Sequence, residues 1–133
     1  MYILKTPRLQ LRVMELADAD FIYELLNTPG WLKYIGDRGI DSLKKAQAYL
    51  EDRVLPDYTR LGFGFYIIER LSDNVRVGNC GITLRTGLKH CDLGYSLLPQ
   101  YEGQGYAEEA ARALLTYGFH DLKLSVIQAI TTF

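Results

Sequence analysis

The stretch Gln100-Tyr101-Glu102-Gly103-Gln104-Gly105-Tyr106-Ala107 has residue types and spacing that suit chemistry. Gly103 and Gly105 stand one residue apart, directly before a helical pattern, where a helix leaves its first four N–H groups without intrahelical acceptors. Such bare donors at the positive end of a helix dipole can grip a phosphate without a charged side chain. The same spacing also makes a plain tight turn, and these eight residues alone leave both alternatives open. Two named nucleotide motifs are excluded. A P-loop needs Lys and then Ser or Thr after its last glycine, where Tyr106-Ala107 stand, and a dinucleotide fingerprint needs Gly or Ala where Glu108 stands.

The loop must be held by its neighbours. Asp92, Gly94 and Ser96 alternate with Leu93, Tyr95 and Leu97, which predicts a strand delivering the chain to the glycines. After them, Ala107, Ala110, Ala111, Leu114, Leu115 and Phe119 predict a helix whose alanines allow close approach to a sheet. Glu108 and Glu109 in its first turn suit the helix dipole. Leu124, Val126, Gln128 and Ile130 predict a final strand, parallel to the one before the helix by the right-handed crossover rule.

Upstream, Leu9, Leu11 and Val13 alternate with Gln10 and Arg12, so a first strand is predicted after Pro7. Asp18 and Asp20 precede Phe21, Ile22, Leu25 and Leu26 at helical spacing, and Asn27, Pro29 and Gly30 stop that helix. A second helix is predicted from Asp41 or Ser42 as N-cap, with Leu43, Ala46, Leu50 and Val54 in one stripe and an end before Pro56. Phe63 to Arg70 and Val75 to Leu84 predict two antiparallel strands joined by Ser72-Asp73-Asn74. The aromatic segment Trp31-Leu32-Lys33-Tyr34-Ile35-Gly36 reads either as packing or as the wall of an acceptor pocket, with Trp31 and Tyr34 the substrate-binding candidates.

A chain of 133 residues with 48% hydrophobic and 23% charged residues is expected to form one α/β domain, 1–133. The net charge of -1 gives no general electrostatic reason to bind nucleic acid or a membrane. No long apolar run opens the sequence, and a cytoplasmic location is expected. Cys80 and Cys91 read as free thiols, and with His90 and His120 they make no zinc spacing, so no metal is expected.

Gln100 through Gly105 resembles the Gln/Arg-x-x-Gly-x-Gly/Ala signature of GNAT acetyl-CoA-dependent N-acetyltransferases. Thr6-Pro7-Arg8-Leu9-Gln10-Leu11-Arg12, Asp92-Leu93-Gly94-Tyr95-Ser96-Leu97 and Gly105-Tyr106-Ala107-Glu108-Glu109-Ala110 are similar to the branch of ribosomal-protein alanine acetyltransferases. The resemblance implies a mostly antiparallel mixed sheet with helices on both faces, in the order β-α-α-β-β-β-α-β, with the family's last strands missing.

It also implies acetyl-CoA as co-substrate. The amides of Gly103, Gln104, Gly105, Tyr106 and Ala107 would hold its pyrophosphate beside Gln100, and the backbone of Leu97 and Leu98 would pair with the pantetheine arm. The implied reaction moves acetyl to a primary amine on a peptide or small molecule. Asp92 is then the candidate general base, and a backbone N–H at Leu97 would meet the oxyanion. The resemblance brings no later helix with a tyrosine acid, and Tyr95 and Tyr117 read as packing residues. The alternative function is a non-catalytic acetyl-CoA-binding or scaffold domain. The strand-like ending at Phe133 leads to the expectation of a truncated product or of a homodimer paired through that edge.

Overall fold

The computed structural model describes residues 1–28, 39–84 and 91–122 and the backbone of 127–129. Within them the alternating segments become strands β1 (Tyr2–Lys5), β2 (Leu9–Val13), β3 (Phe65–Arg70), β4 (Arg76–Thr83), β5 (Cys91–Leu97) and β6 (Ile127–Ala129). They form one sheet in sequence order, with each neighbour antiparallel as far as β5. β5 and β6 are parallel, with Cys91 opposite Ile127, as the crossover rule predicts.

The helices are α1 (Ala19–Leu26), entered through a 3₁₀ turn at Leu16–Asp18, then α2 (Leu43–Tyr49), α3 (Leu55–Arg60) and α4 (Tyr106–His120). They cover both faces of the sheet. On one, Tyr106, Ala110 and Leu114 of α4 pack on Leu9, Leu11, Tyr66, Ile68, Val77, Cys80, Ile82 and Leu93. On the other, Phe21, Ile22 and Leu25 of α1 meet Ala46, Leu50, Val54, Ile67 and Leu98. Among the described residues no helix is long and apolar enough to cross a membrane.

The structure departs from the sequence expectation in three places. β1 precedes the strand predicted as first. It is a half-exposed edge strand whose pairing with β2 shifts register between Tyr2 and Leu4, so Tyr2-Ile3-Leu4-Lys5 carries no clean alternation. Secondly, the helix predicted to stop before Pro56 continues. Leu50–Val54 widens into a π turn, and Pro56 falls in the first turn of α3, where a missing N–H costs nothing. Finally, Leu43 and Phe119 are 46% and 43% exposed and belong to neither core, although Ala46, Leu50 and Val54 are buried as their spacing predicts. Ser42 caps α2 as expected, accepting from the Lys45 N–H at 3.1 Å.

Asp18 does more than favour a helix dipole. It is buried, and its carboxylate accepts both Arg12 Nη atoms at 2.8 Å, Arg76 Nη1 at 3.1 Å and the Glu15 N–H at 2.9 Å. Arg12 also reaches Glu69 through Nε at 2.6 Å, and Arg76 reaches Asp20 at 2.9 Å. Burial raises the Asp18 pKa, but the hydrogen bonds from Arg12 and Glu15 outweigh it and hold the carboxyl below its ordinary range. The cluster ties the entry of α1 to β2 and β4.

Candidate functional site

β5 separates two kinds of surface. Cys91, Leu93, Tyr95 and Leu97 send their side chains to the α4 core, so Asp92, Gly94 and Ser96 face the α1 and α2 side. The edges follow from one hydrogen bond. The Leu98 N–H donates to the Val77 carbonyl at 2.9 Å, and main-chain groups alternate along an antiparallel strand. The N–H and C=O groups of Leu97 and Tyr95 therefore point away from β4, toward the side where β6 lies. β6 pairs only with Cys91–Leu93, and among the described residues no strand flanks Ser96 and Leu97 on that side. The main-chain N–H and C=O of Leu97 thus lie on an edge that no described strand covers, and such an edge can pair with an extended amide chain.

Leu98 does not share this role. Its N–H is committed to Val77, its carbonyl accepts from the Tyr101 N–H at 3.0 Å and its side chain is buried, so its main chain serves the fold.

Beyond Leu98, a 3₁₀ turn at Pro99–Tyr101 carries Gln100 at the surface and leads into the glycines. Gly103 and Gly105 have φ of 79° and 83°, the left-handed region that other residues enter at a cost. Gly105 is the N-cap of α4, and the first intrahelical bond runs from the Glu109 N–H to the Gly105 carbonyl at 3.1 Å. The N–H groups of Tyr106 and Ala107 thus open the helix without intrahelical acceptors, next to exposed Gly103, Gln104 and Gly105. The Tyr106 side chain is buried and anchors the loop from below.

Arg8, just ahead of β2, braces this loop. Its Nη1 donates to the Gln104 carbonyl at 2.9 Å, and its guanidinium carbon lies 4.6 Å from the centre of the Tyr106 ring. Its Nε meets Glu109 at 2.6 Å and its backbone N–H meets the same carboxylate at 3.0 Å, while the Thr6 hydroxyl also donates to Glu109. Burial raises the Glu109 pKa, yet the hydrogen bonds from Thr6 and Arg8 hold it below its ordinary range. The sequence suggested only a dipole role for Glu109. A contact between residues this far apart leaves no local pattern to read.

Asp92 is buried on the opposite face, between Thr83 of β4 and Gln128 of β6. Leu97 lies five residues on, roughly 16 Å away at strand rise, and Tyr95 about 10 Å away. Between Asp92 and Ser96 the sheet surface is bare at Gly94 and, across the pair, at Gly81. The Phe65 ring fills that space, since a Cβ on Gly81 would come within 2.5 Å of it and one on Gly94 within 3.5 Å. The Ser96 hydroxyl donates to Asn79 Oδ1 at 2.7 Å, a buried polar pair beside Leu97 that the sequence did not single out. Trp31 and Tyr34, the predicted substrate contacts, and residues 130–133, the predicted pairing edge, lie outside the described residues. Tyr95 and Tyr117 pack on the α4 core.

The model of the acetyltransferase (GNAT) domain matches residues 8–132, from the loop-bracing Arg8 across the glycine loop. The chain belongs to the GNAT acetyltransferase family. Among curated GNAT relatives, the uncharacterized N-acetyltransferase p20 of Bacillus licheniformis is 33% identical over 134 aligned positions, spanning 97% of this chain and 72% of p20. The solved acetyltransferase of Agrobacterium tumefaciens superposes with a TM-score of 0.78 at 28% identity, covering 93% of this chain and 70% of that one. A RimL ribosomal L7/L12 α-N-protein acetyltransferase, solved with coenzyme A, superposes with a TM-score of 0.79 over 96% of this chain and 72% of its own. At 18% identity that likeness shows the GNAT fold alone.

Proposed function

We propose that this GNAT chain transfers the acetyl group of acetyl-CoA to a primary amine, on a protein N-terminus or a small molecule. The observation that carries the proposal is the continuity of the β5 edge at Leu97 with the glycine loop. An amide-bearing arm pairing with Leu97 leads directly to the N–H groups of Gly103, Gln104, Gly105, Tyr106 and Ala107, which suit a diphosphate at the positive end of α4. The Gln100 side chain at the surface borders the same path.

The amine must lose a proton to become a nucleophile, because an ordinary pKa of about 10 for an alkylamine, or about 8 for a protein N-terminus, keeps most of it protonated at neutral pH. Asp92 is the proposed base. Leu97 stands about 16 Å along β5 from Asp92, so the proton is proposed to reach Asp92 through a relay of several waters. The amine nitrogen then bonds to the acetyl carbon, the oxyanion is met by the Leu97 N–H, the carbon–sulfur bond breaks, and the proton that the nitrogen sheds passes to the departing thiolate, leaving the amide and the free thiol. Trp31 and Tyr34 remain the proposed acceptor contacts.

The test is thiol release from acetyl-CoA with a panel of amines and N-terminal peptides, on this chain and on Asp92→Asn. The expected loss in the variant is about 100-fold, the lower range for a general base. Full activity of Asp92→Asn on the best acceptor refutes the base assignment. Tight coenzyme binding with no thiol release for any acceptor supports a non-catalytic binding domain instead.

A further inference from the structure

We propose that Arg8 is a positioning residue for the coenzyme's diphosphate, acting by fixing the peptide plane between Gln104 and Gly105. This inference rests on the acetyl-CoA reading above. In a trans peptide the carbonyl of one residue and the N–H of the next point in opposite directions. Arg8 Nη1 holds the Gln104 carbonyl at 2.9 Å, so the Gly105 N–H is aimed to the far side, away from Arg8 and outward from the loop.

Such an aim needs enforcing. With Gly103 and Gly105 at φ of 79° and 83°, the peptides between them lie next to residues with no Cβ to resist rotation. The loop is exposed, and no core contact fixes Gln104. A guanidinium suits the task because its planar fork is itself held at two further points. Nε is tied to Glu109 at 2.6 Å, and the face stacks 4.6 Å from the centre of the Tyr106 ring. Glu109 is fixed in turn by the Thr6 hydroxyl and the Arg8 N–H. Glu109 also offsets the Arg8 charge, which favours orientation of the loop over direct attraction of the phosphate.

The experiment is calorimetric titration of coenzyme A and of pantetheine, which lacks the diphosphate, into the wild-type chain, Arg8→Ala and Arg8→Lys. Arg8→Ala is expected to bind coenzyme A about tenfold more weakly, the scale of one charge-assisted hydrogen bond, with pantetheine binding unchanged. Arg8→Lys, which keeps a donor for the Gln104 carbonyl, is expected to recover part of that loss. The Gly105 amide resonance of the wild type is expected to shift with coenzyme A and not with pantetheine, a measurement that stands even if Arg8→Ala does not fold. Unchanged coenzyme affinity in Arg8→Ala, an equal loss for pantetheine, or a Gly105 amide indifferent to coenzyme A overturns the proposal. Failure of the wild type to bind coenzyme A overturns the acetyl-CoA reading, and this inference with it.

Discussion

Replacing Asp18 by Asn removes one charge from the cluster that ties β2, β4 and the start of α1 together while keeping the side chain's shape. The carboxylate takes three guanidinium N–H contacts and the Glu15 N–H, and it is 3% exposed. Breaking a buried ion pair from one side costs about 3–5 kcal/mol. Here Arg12 retains Glu69 at 2.6 Å and Arg76 retains Asp20 at 2.9 Å, so neither guanidinium is orphaned, and the expected loss is about 3 kcal/mol. An unfolding entropy of roughly 2.1 cal/mol/K per residue over 133 residues converts this to a fall in Tm of about 10 °C.

The pH dependence has a definite sign. The Asp18 carboxyl is held below its ordinary range, so its contribution is complete above its unfolded-state pKa of about 3.9 and is lost as pH falls through the lower native value. Urea unfolding should show a constant gap between wild type and Asp18→Asn from pH 7 to about 5, narrowing below about pH 4. Asp20→Asn, whose side chain is 61% exposed, serves as the control and should cost less than about 1 kcal/mol. A gap under about 1 kcal/mol for Asp18→Asn at pH 7, or one that does not narrow in acid, refutes the assignment of Asp18 as the centre of the cluster.

Two further outcomes are expected. A Cβ at Gly103 meets nothing within 4 Å, so Gly103→Ala carries only the strain of a φ of 79° and should lower unfolding stability by about 1 kcal/mol, read by urea titration. Cys80 is fully buried, and burial pushes its thiol up to about 12, so a chromogenic thiol reagent at pH 8 should leave it unmodified in the native chain and modify it in urea.

The glycine loop and its flanking strand and helix were legible because they are local: alternation at Asp92 to Leu97, two glycines and an alanine-rich helical stripe lie within thirty residues. The parallel return to β6 followed from handedness. Leu98 shows where local reading stops. The main-chain groups of its neighbour Leu97 point away from β4, while its own N–H and carbonyl turn inward to Val77 and Tyr101, a distinction fixed by the strand alternately facing β4. Glu109 and Asp18 each sit in a helical first turn and invite the same dipole explanation. Only the folded chain brings Arg8 to one and Arg12 and Arg76 to the other. Pro56 misled because a proline stops a helix only where its N–H is needed, and a π turn had already opened the hydrogen-bond ladder there.

Arg8 and Glu109 are 101 residues apart in sequence, which bears on the order in which the chain assembles. Closing so long a loop costs about 2 kcal/mol more entropy than closing one of ten residues, and in vectorial synthesis Arg8 waits through the next 101 residues before its partner exists. The glycine loop, whose sequence is entirely local, thus takes its final shape through one of the most distant contacts in the fold. On the proposal made for Arg8, coenzyme affinity would report whether the first strand pair has docked on α4, and a chain halted before that step would carry the motif without its grip.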